Sequence, residues 1–249
     1  MHRFYLPPAH CHGPALELTG REAHHALHVL RVRRGERVTV LDGEGQQLEC
    51  EVQERARDSL GLKVVERRSV ARLPYQLTLL QAIPKGKLLE SIIQKAAELG
   101  VSRIVPLAAE RTVTKVDAGE ESQKLAKWRM IAVEAIKQCG CAWLPRVESS
   151  VTVSQFVLHP PSTDLPLVGS LRSNSRHPRQ YFEDFERSHG TKPKSVSVAI
   201  GPEGDFTDEE LSLLQSAGAL PINLGPLVLR VETAAVYCLS IINYELQSG

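Results

Sequence analysis

Hydrophobic and polar positions change their rhythm once along this chain. In the N-terminal part, short β-branched or alternating runs at 37–41, 48–52 and 60–65 are separated by the turn formers Asp42-Gly43-Glu44-Gly45 and Asp58-Ser59. That pattern predicts a β-rich unit of small-barrel type, preceded by one short helix over 22–31. After a boundary at Arg72-Leu73-Pro74, apolar runs at 77–82, 103–107, 166–169, 195–200 and 219–224 alternate with helix-period segments at 88–99, 124–138, 208–217 and 232–246. Alternation of this kind predicts a mostly parallel sheet covered by helices. The helix over 88–99 carries Leu89, Ile92, Ile93, Ala96 and Leu99 on one side and stops at Gly100. The reading is α/β, with domains at 1–72 and 73–249; the Ser-, Arg-, His- and Pro-rich stretch 160–194 contains loop and linker material.

Two glycine-rich loops, each leading into a helix, carry the candidate chemistry. The buried strand SVSVAI (195–200) is broken by Gly201-Pro202-Glu203-Gly204. Thr207 then caps a helix, Glu210 completes a capping box, Asp208 and Glu209 favour the positive helix end, and Gly218 closes it. Glycines at 201 and 204 let main-chain groups approach a flat ligand such as adenine or ribose. The acidic first turn argues against phosphate. Taken alone, GPEG is equally a plain strand-to-helix turn. The second loop, Asn223-Leu224-Gly225-Pro226, runs through Leu229 and Arg230 into a helix with Ala234, Ala235, Cys238, Ile241 and Ile242 available for packing. Arg230, Glu232 and Thr233 read either as a capped helix start with a surface charge or as a cofactor loop with Arg230 facing a substrate; spacing slightly favours the cap.

The stretches IGPEG and LGP-x-x-LR-x-ETA resemble the C-terminal signature of the RsmE family, SPOUT-class methyltransferases that act on N3 of a uridine in small-subunit ribosomal RNA. HHALHVLRVRRGERVTVLDGEG (24–45), KGKLLESIIQKAAELGVSRIVPL (85–107) and KWRMIAVEAIKQCG (127–140) extend the resemblance over nearly the whole chain. It implies an N-terminal PUA-like β-barrel that binds RNA, a C-terminal SPOUT domain with a parallel sheet and a trefoil knot, and a homodimer with the cofactor pocket near its interface. The implied cofactor is S-adenosylmethionine, with no metal.

Carried over to this sequence, the resemblance assigns main-chain cofactor contacts to Gly201, Gly204, Leu224, Gly225 and Leu229, assisted by Glu203 and Thr233. Arg230 would stabilise negative charge on the uracil carbonyls once N3 loses its proton. Glu232 would accept that proton or orient Arg230, although capping explains it equally well. Arg31, Arg33 and Arg34, the densest basic cluster of the first domain, and Lys85 and Lys87 are the expected RNA contacts, a solvated surface being their alternative. Because N3 lies on the pairing edge, the target uridine must be unpaired or extruded. Four positions depart from the family pattern: Leu227 and Cys141 stand where arginine is usual, Val231 where threonine is, and Asp205 where glycine is. Backbone cofactor contacts tolerate such changes better than substrate orientation does.

Composition agrees. With 249 residues, 42% hydrophobic and 24% charged, the chain suits a soluble protein of two domains. No apolar run approaches the roughly 18 residues of a membrane span, and the start at His2-Arg3-Phe4-Tyr5 shows no targeting segment. Five scattered cysteines favour neither disulfides nor zinc, and a cytoplasmic location is expected. Cys139 and Cys141 read as packing. His24 and His28 share a helix face without acidic or cysteine partners, so packing or RNA contact is preferred to a metal. Residues 200–249 hold seven acidic groups and one basic, a net of −6 that leaves +7 for the rest of the chain. That asymmetry suits a cationic cofactor at one place and RNA phosphates at another, either on free small-subunit RNA or on the assembled subunit. Two other readings stay open: a SPOUT methyltransferase for another RNA position, and a non-catalytic RNA-binding ribosome-assembly factor.

Overall fold

From the N-terminus the chain forms β1 (His2–Tyr5), β2 (Ala15–Thr19), α1 (Gly20–His24), β3 (Arg37–Leu41), β4 (Gln46–Arg55) and β5 (Ser59–Ser69). The computed structural model describes residues 1–112, 118–172 and 174–247. These five strands make one sheet in the order β1-β3-β4-β5-β2, antiparallel except for β1 beside β3. Alternation puts Val38, Val40, Leu48, Cys50, Val52, Leu60 and Leu62 inside, as the sequence pattern requires. The helix expected over 22–31 ends sooner. Its second half widens into a turn over His25–Val29, where the Leu30 N–H reaches the His25 carbonyl at 2.9 Å. Arg31, with φ 54°, then takes the chain out in the left-handed region.

The unit built on this sheet comprises Met1–Arg72 and Val133–Leu144. Within it the Lys137 ammonium is buried at 6% exposure, held by Glu22 at 2.7 Å and Glu134 at 3.1 Å. Burial pushes the thiol of Cys11 up to about 11 and that of Cys50 up to about 12, so both stay protonated at neutral pH. The rings of His24 and His28 lie 4.9 Å apart.

The second unit, Leu73–Ala132 with the residues from Pro145 onward, alternates strands and helices. Its elements are β6 (Gln76–Ala82), α2 (Leu88–Glu98), β7 (Arg103–Ala108), α3 (Ala118–Cys139), β8 (Arg146–Val147), β9 (Val151–Thr152), α4 (Val153–Leu158), β10 (Leu165–Gly169), α5 (Pro178–His189), β11 (Ser195–Ile200), α6 (Asp208–Ser216), β12 (Leu220–Ile222) and α7 (Val231–Gln247). Helix α3 begins in this unit, and its last turns belong to the first. The sheet runs β12-β10-β11-β6-β7-β8, with β9 also on β7, and every pairing is parallel. Both faces are covered: on β6, Leu77 and Leu79 are buried on one side, and Leu80 and Ala82 on the other. Helices α4 and α6 lie against the Leu80 side, where Leu211 and Leu214 join the core. Helix α7 contacts α2, β6 and β11.

Most expected elements appear within a few residues of their predicted ends. The capping box of Thr207 and Glu210 is present in both directions, at 3.2 and 3.1 Å. Helix α5 falls inside the stretch that pattern left as loop. It buries only Pro178, Tyr181 and Phe182 under an otherwise polar surface, capped by His177 and closed by Gly190 at φ 70°. The helical period is present, but the segment is so polar overall that it reads as loop.

Candidate functional site

Three loops leave the C-terminal ends of the neighbouring strands β12, β10 and β11, the position where open parallel sheets bind ligands. Together they line a cavity of about 990 Å³, joined by Leu88 at the start of α2. The first loop, after β11, is Gly201 to Asp205; the second, after β12, runs from Asn223 to Arg230; the third, after β10, includes Ser170, Leu171, Arg172 and Ser175.

Side chains from distant parts of the unit pin the Gly201–Asp205 loop. Glu203 accepts the Lys85 N–H at 2.9 Å, so its carboxylate braces the loop. Arg111 donates to the Gly204 carbonyl at 2.6 Å, and the buried Glu210 accepts the Glu110 N–H at 2.8 Å. A Cβ on Gly204 would lie 3.3 Å from the Arg111 Cδ, so this glycine makes room for Arg111 as well as for any ligand. At Gly201 a Cβ would fall 2.9 Å from the Asp205 Oδ1 and 3.1 Å from the Phe206 nitrogen, inside the loop's own fold. Asp205 has φ 59°, in the left-handed region, and its Oδ1 accepts the Phe206 N–H at 2.8 Å. Asp205→Gly is therefore expected to stay within about 1 kcal/mol of the parent, relief of the left-handed strain offsetting the lost hydrogen bond, while Asp205→Val costs about 1–3 kcal/mol. Urea unfolding of the two variants measures the difference.

Of the residues picked from sequence, Gly201, Glu203, Gly204, Leu224, Gly225, Leu229, Arg230 and Glu232 all line this one cavity. Thr233 does not: it is exposed on the first turn of α7 and is absent from the lining. Arg230 immediately precedes α7 and its carbonyl accepts the Ala234 N–H at 2.7 Å. Its guanidinium is exposed and has no ion pair among the described residues. Leu227 and Val228, 74% and 77% exposed, form an apolar lip. Neither the wall formed by Ser170, Leu171, Arg172 and Ser175 nor Arg111 was among the sequence candidates. The available signal was positional: a polar loop after a buried strand, at the end of a sheet where sites form.

The remaining RNA candidates fall in two places, beside the cavity and in the first unit. Lys85 and Lys87 are exposed in the turn before α2. In the first unit, Arg31, Arg33 and Arg34 are exposed and without an ion pair among the described residues. The Gly35 N–H bonds the Val52 carbonyl at 2.8 Å, which fixes their loop beside β4. Replacing all three by Gln is expected to weaken RNA binding and flatten its salt dependence, each lost phosphate contact lowering the slope by about 0.7–0.9. Titration at several salt concentrations reads both. An unchanged slope would return these arginines to plain solvation.

Residues 71–243 match the family model of the RNA methyltransferase domain, and residues 18–65 that of the RNA methyltransferase PUA domain. Ribosomal RNA small subunit methyltransferase E of Bacillus subtilis is 32% identical over 94% of this chain and 91% of its own length. A methyltransferase of Legionella pneumophila solved with bound SAM is 34% identical, covers 97% of this chain and 96% of its own, and superposes with a TM-score of 0.88. Ribosomal RNA small subunit methyltransferase E from Neisseria gonorrhoeae, bound to S-adenosyl methionine, gives a TM-score of 0.85 at 27% identity, over 98% of this chain and 97% of its own. With a PUA-type first unit, a parallel α/β second unit and matches that run almost end to end, the chain belongs to the RNA methyltransferase family, among the ribosomal RNA small subunit methyltransferases E.

Proposed function

We propose that this protein methylates N3 of a uridine in small-subunit ribosomal RNA, with S-adenosylmethionine as methyl donor. The observation that carries the reading is the cavity itself, where main chain from three strand ends meets the exposed Arg230 and the carboxylate-bearing Glu232 on one rim. The site fits the donor. About 990 Å³ accommodates a nucleoside with an amino-acid tail, the glycine-rich walls present main-chain groups to a purine and ribose, and the acids Glu203, Asp205 and Glu232 suit a cation. Gly201, Gly204, Leu224, Gly225 and Leu229 would hold it. Bound there, the donor supplies a methyl group already activated on a sulfonium, so the protein's own work is alignment and proton removal.

Arg230 stabilises the charge that spreads over the uracil carbonyls as N3 is deprotonated. Glu232, two residues on, takes the proton or holds Arg230 in position. Residues 1–72 serve as the RNA-binding domain and 73–249 as the catalytic one, with Lys85 and Lys87 adding phosphate contacts. The last segment threads a loop as a trefoil knot. Supporting this, β12 lies at the sheet edge while α7 returns to β6 and β11. A second copy covers the exposed Leu227–Val228 lip, giving a homodimer that light scattering can detect. Among the described residues no helix is long and apolar enough to cross a membrane, and a ribosomal substrate supports a cytoplasmic location.

The test is direct. Purified protein, S-adenosylmethionine and unmodified small-subunit RNA, free or assembled, should yield one methylated uridine at which reverse transcription stops, because an N3 methyl blocks pairing. A methyl group on another base or on a ribose would move the protein to a different RNA position. Cofactor binding without transfer would make it a non-catalytic assembly factor.

A further inference from the structure

The cavity has two cationic side chains among its described lining residues, Arg230 and Arg172. If Arg230 faces the uracil, Arg172 is left without a task. Its backbone is held by hydrogen bonds on both sides. The Ser170 N–H bonds the Ile222 carbonyl at 2.9 Å, and the Arg172 N–H donates to the Ser170 hydroxyl at 3.2 Å. The Arg172 carbonyl accepts from the Ser175 hydroxyl at 2.6 Å. Ser175 is tied in turn by the Asn223 side-chain amide at 2.9 Å, and the Asn223 N–H bonds the Arg176 carbonyl at 3.0 Å. The third wall is thus stitched to the start of the second.

From this anchored position the guanidinium pairs with Asp208, the first residue of α6, which lies outside the cavity lining. The two side chains are 48% and 74% exposed, and an ion pair so exposed contributes little and exchanges readily. A fixed backbone with an exchangeable head group is suited to a ligand anion.

We propose that Arg172 binds the α-carboxylate of the cofactor's amino-acid portion, giving up Asp208 to do so. This rests on the cavity being the S-adenosylmethionine site. The donor carries one carboxylate among otherwise neutral or cationic groups, and the cavity acids Glu203, Asp205 and Glu232 would repel it. Arg172 therefore sets specificity for a complete amino-acid tail over a truncated nucleoside.

The experiment compares two probes by calorimetry: S-adenosylhomocysteine, which has the carboxylate, and 5′-methylthioadenosine, which lacks the whole amino-acid end. Arg172→Gln should weaken S-adenosylhomocysteine about tenfold, the usual order for a lost hydrogen bond to a charged group, and leave methylthioadenosine within twofold. Arg172→Lys should recover part of the loss. Retained methylthioadenosine binding also demonstrates that the variant is folded. Unchanged S-adenosylhomocysteine affinity, or equal weakening of both probes, overturns the assignment. So does a variant with native affinity for both probes but a flatter RNA salt slope, which gives Arg172 to a phosphate. Wild-type protein that binds neither probe removes the cofactor site itself, a result distinct from failure at Arg172 alone.

Discussion

Arg230→Ala is expected to lower methyl-transfer turnover by about two to three orders of magnitude, the loss typical when a donor to developing negative charge is removed. Cofactor affinity should change by less than about threefold, because the expected cofactor contacts are main-chain ones. Arg230 is exposed on the cavity rim, unpaired among the described residues, and held at the start of α7 by its carbonyl bond to Ala234. Deleting its side chain leaves that bond intact. The apolar Leu227, 74% exposed on the same rim, offers no substitute charge. Single-turnover methylation of a small-subunit RNA fragment at saturating S-adenosylmethionine gives the rate. Near-native turnover would return Arg230 to a surface charge at the start of α7, and loss of cofactor binding in a folded variant would place it in the cofactor pocket. Arg230→Lys, which keeps charge but not the planar fork, should fall between the two.

Gly201→Val is the second large effect, and it acts on binding. The new Cβ would lie 2.9 Å from Asp205 Oδ1, 3.1 Å from the Phe206 nitrogen and 3.3 Å from the Asp205 Cα. Two of these atoms are backbone, so the loop has to open. Overpacking of this kind costs about 1–3 kcal/mol, and because Gly201 to Asp205 form one wall of the cavity, most of it should appear as affinity, up to about a hundredfold by the usual conversion. Phe206 is buried and anchors the loop to the core, so a melting temperature lowered by a few degrees should accompany the loss. Gly204→Ala is the contrast, since its Cβ would meet the flexible Arg111 side chain at 3.3 Å and a side chain moves more cheaply than backbone. Calorimetry with S-adenosylmethionine ranks the two variants; equal affinities would sink the idea that the loop's own backbone shapes the site.

Local features were open to reading from sequence because their causes are local. Thr207 and Glu210 lie three residues apart and cap each other whatever surrounds them. Alternation in β3 and β4, the apolar stripe of α2 and the glycine breaks at 201 and 225 likewise depend on neighbours within a turn or two. Resemblance then added what pattern alone does not contain, namely the cofactor, the RNA and a role for Arg230. Thr233 shows the limit. Its place beside Glu232 in the motif suggested a cavity contact, but helical geometry turns it outward, because successive residues on a helix point about 100° apart.

What the sequence by itself determined is the order and type of most elements, the two glycine loops and the charge asymmetry, all of which follow from short-range periodicity and composition. What only the tertiary structure decided is which distant residues share the site. Strand β10 lies between β11 and β12, and that placement alone brings Ser170, Arg172 and Ser175 to the same cavity as Gly201 and Gly225, although they come from a stretch whose polarity reads as linker. Arg111 reaches Gly204 across 93 positions of sequence because parallel strands deliver their C-terminal loops to one edge of the sheet. Such contacts depend on strand order, a property of long-range packing that no local pattern of hydrophobic and polar residues encodes.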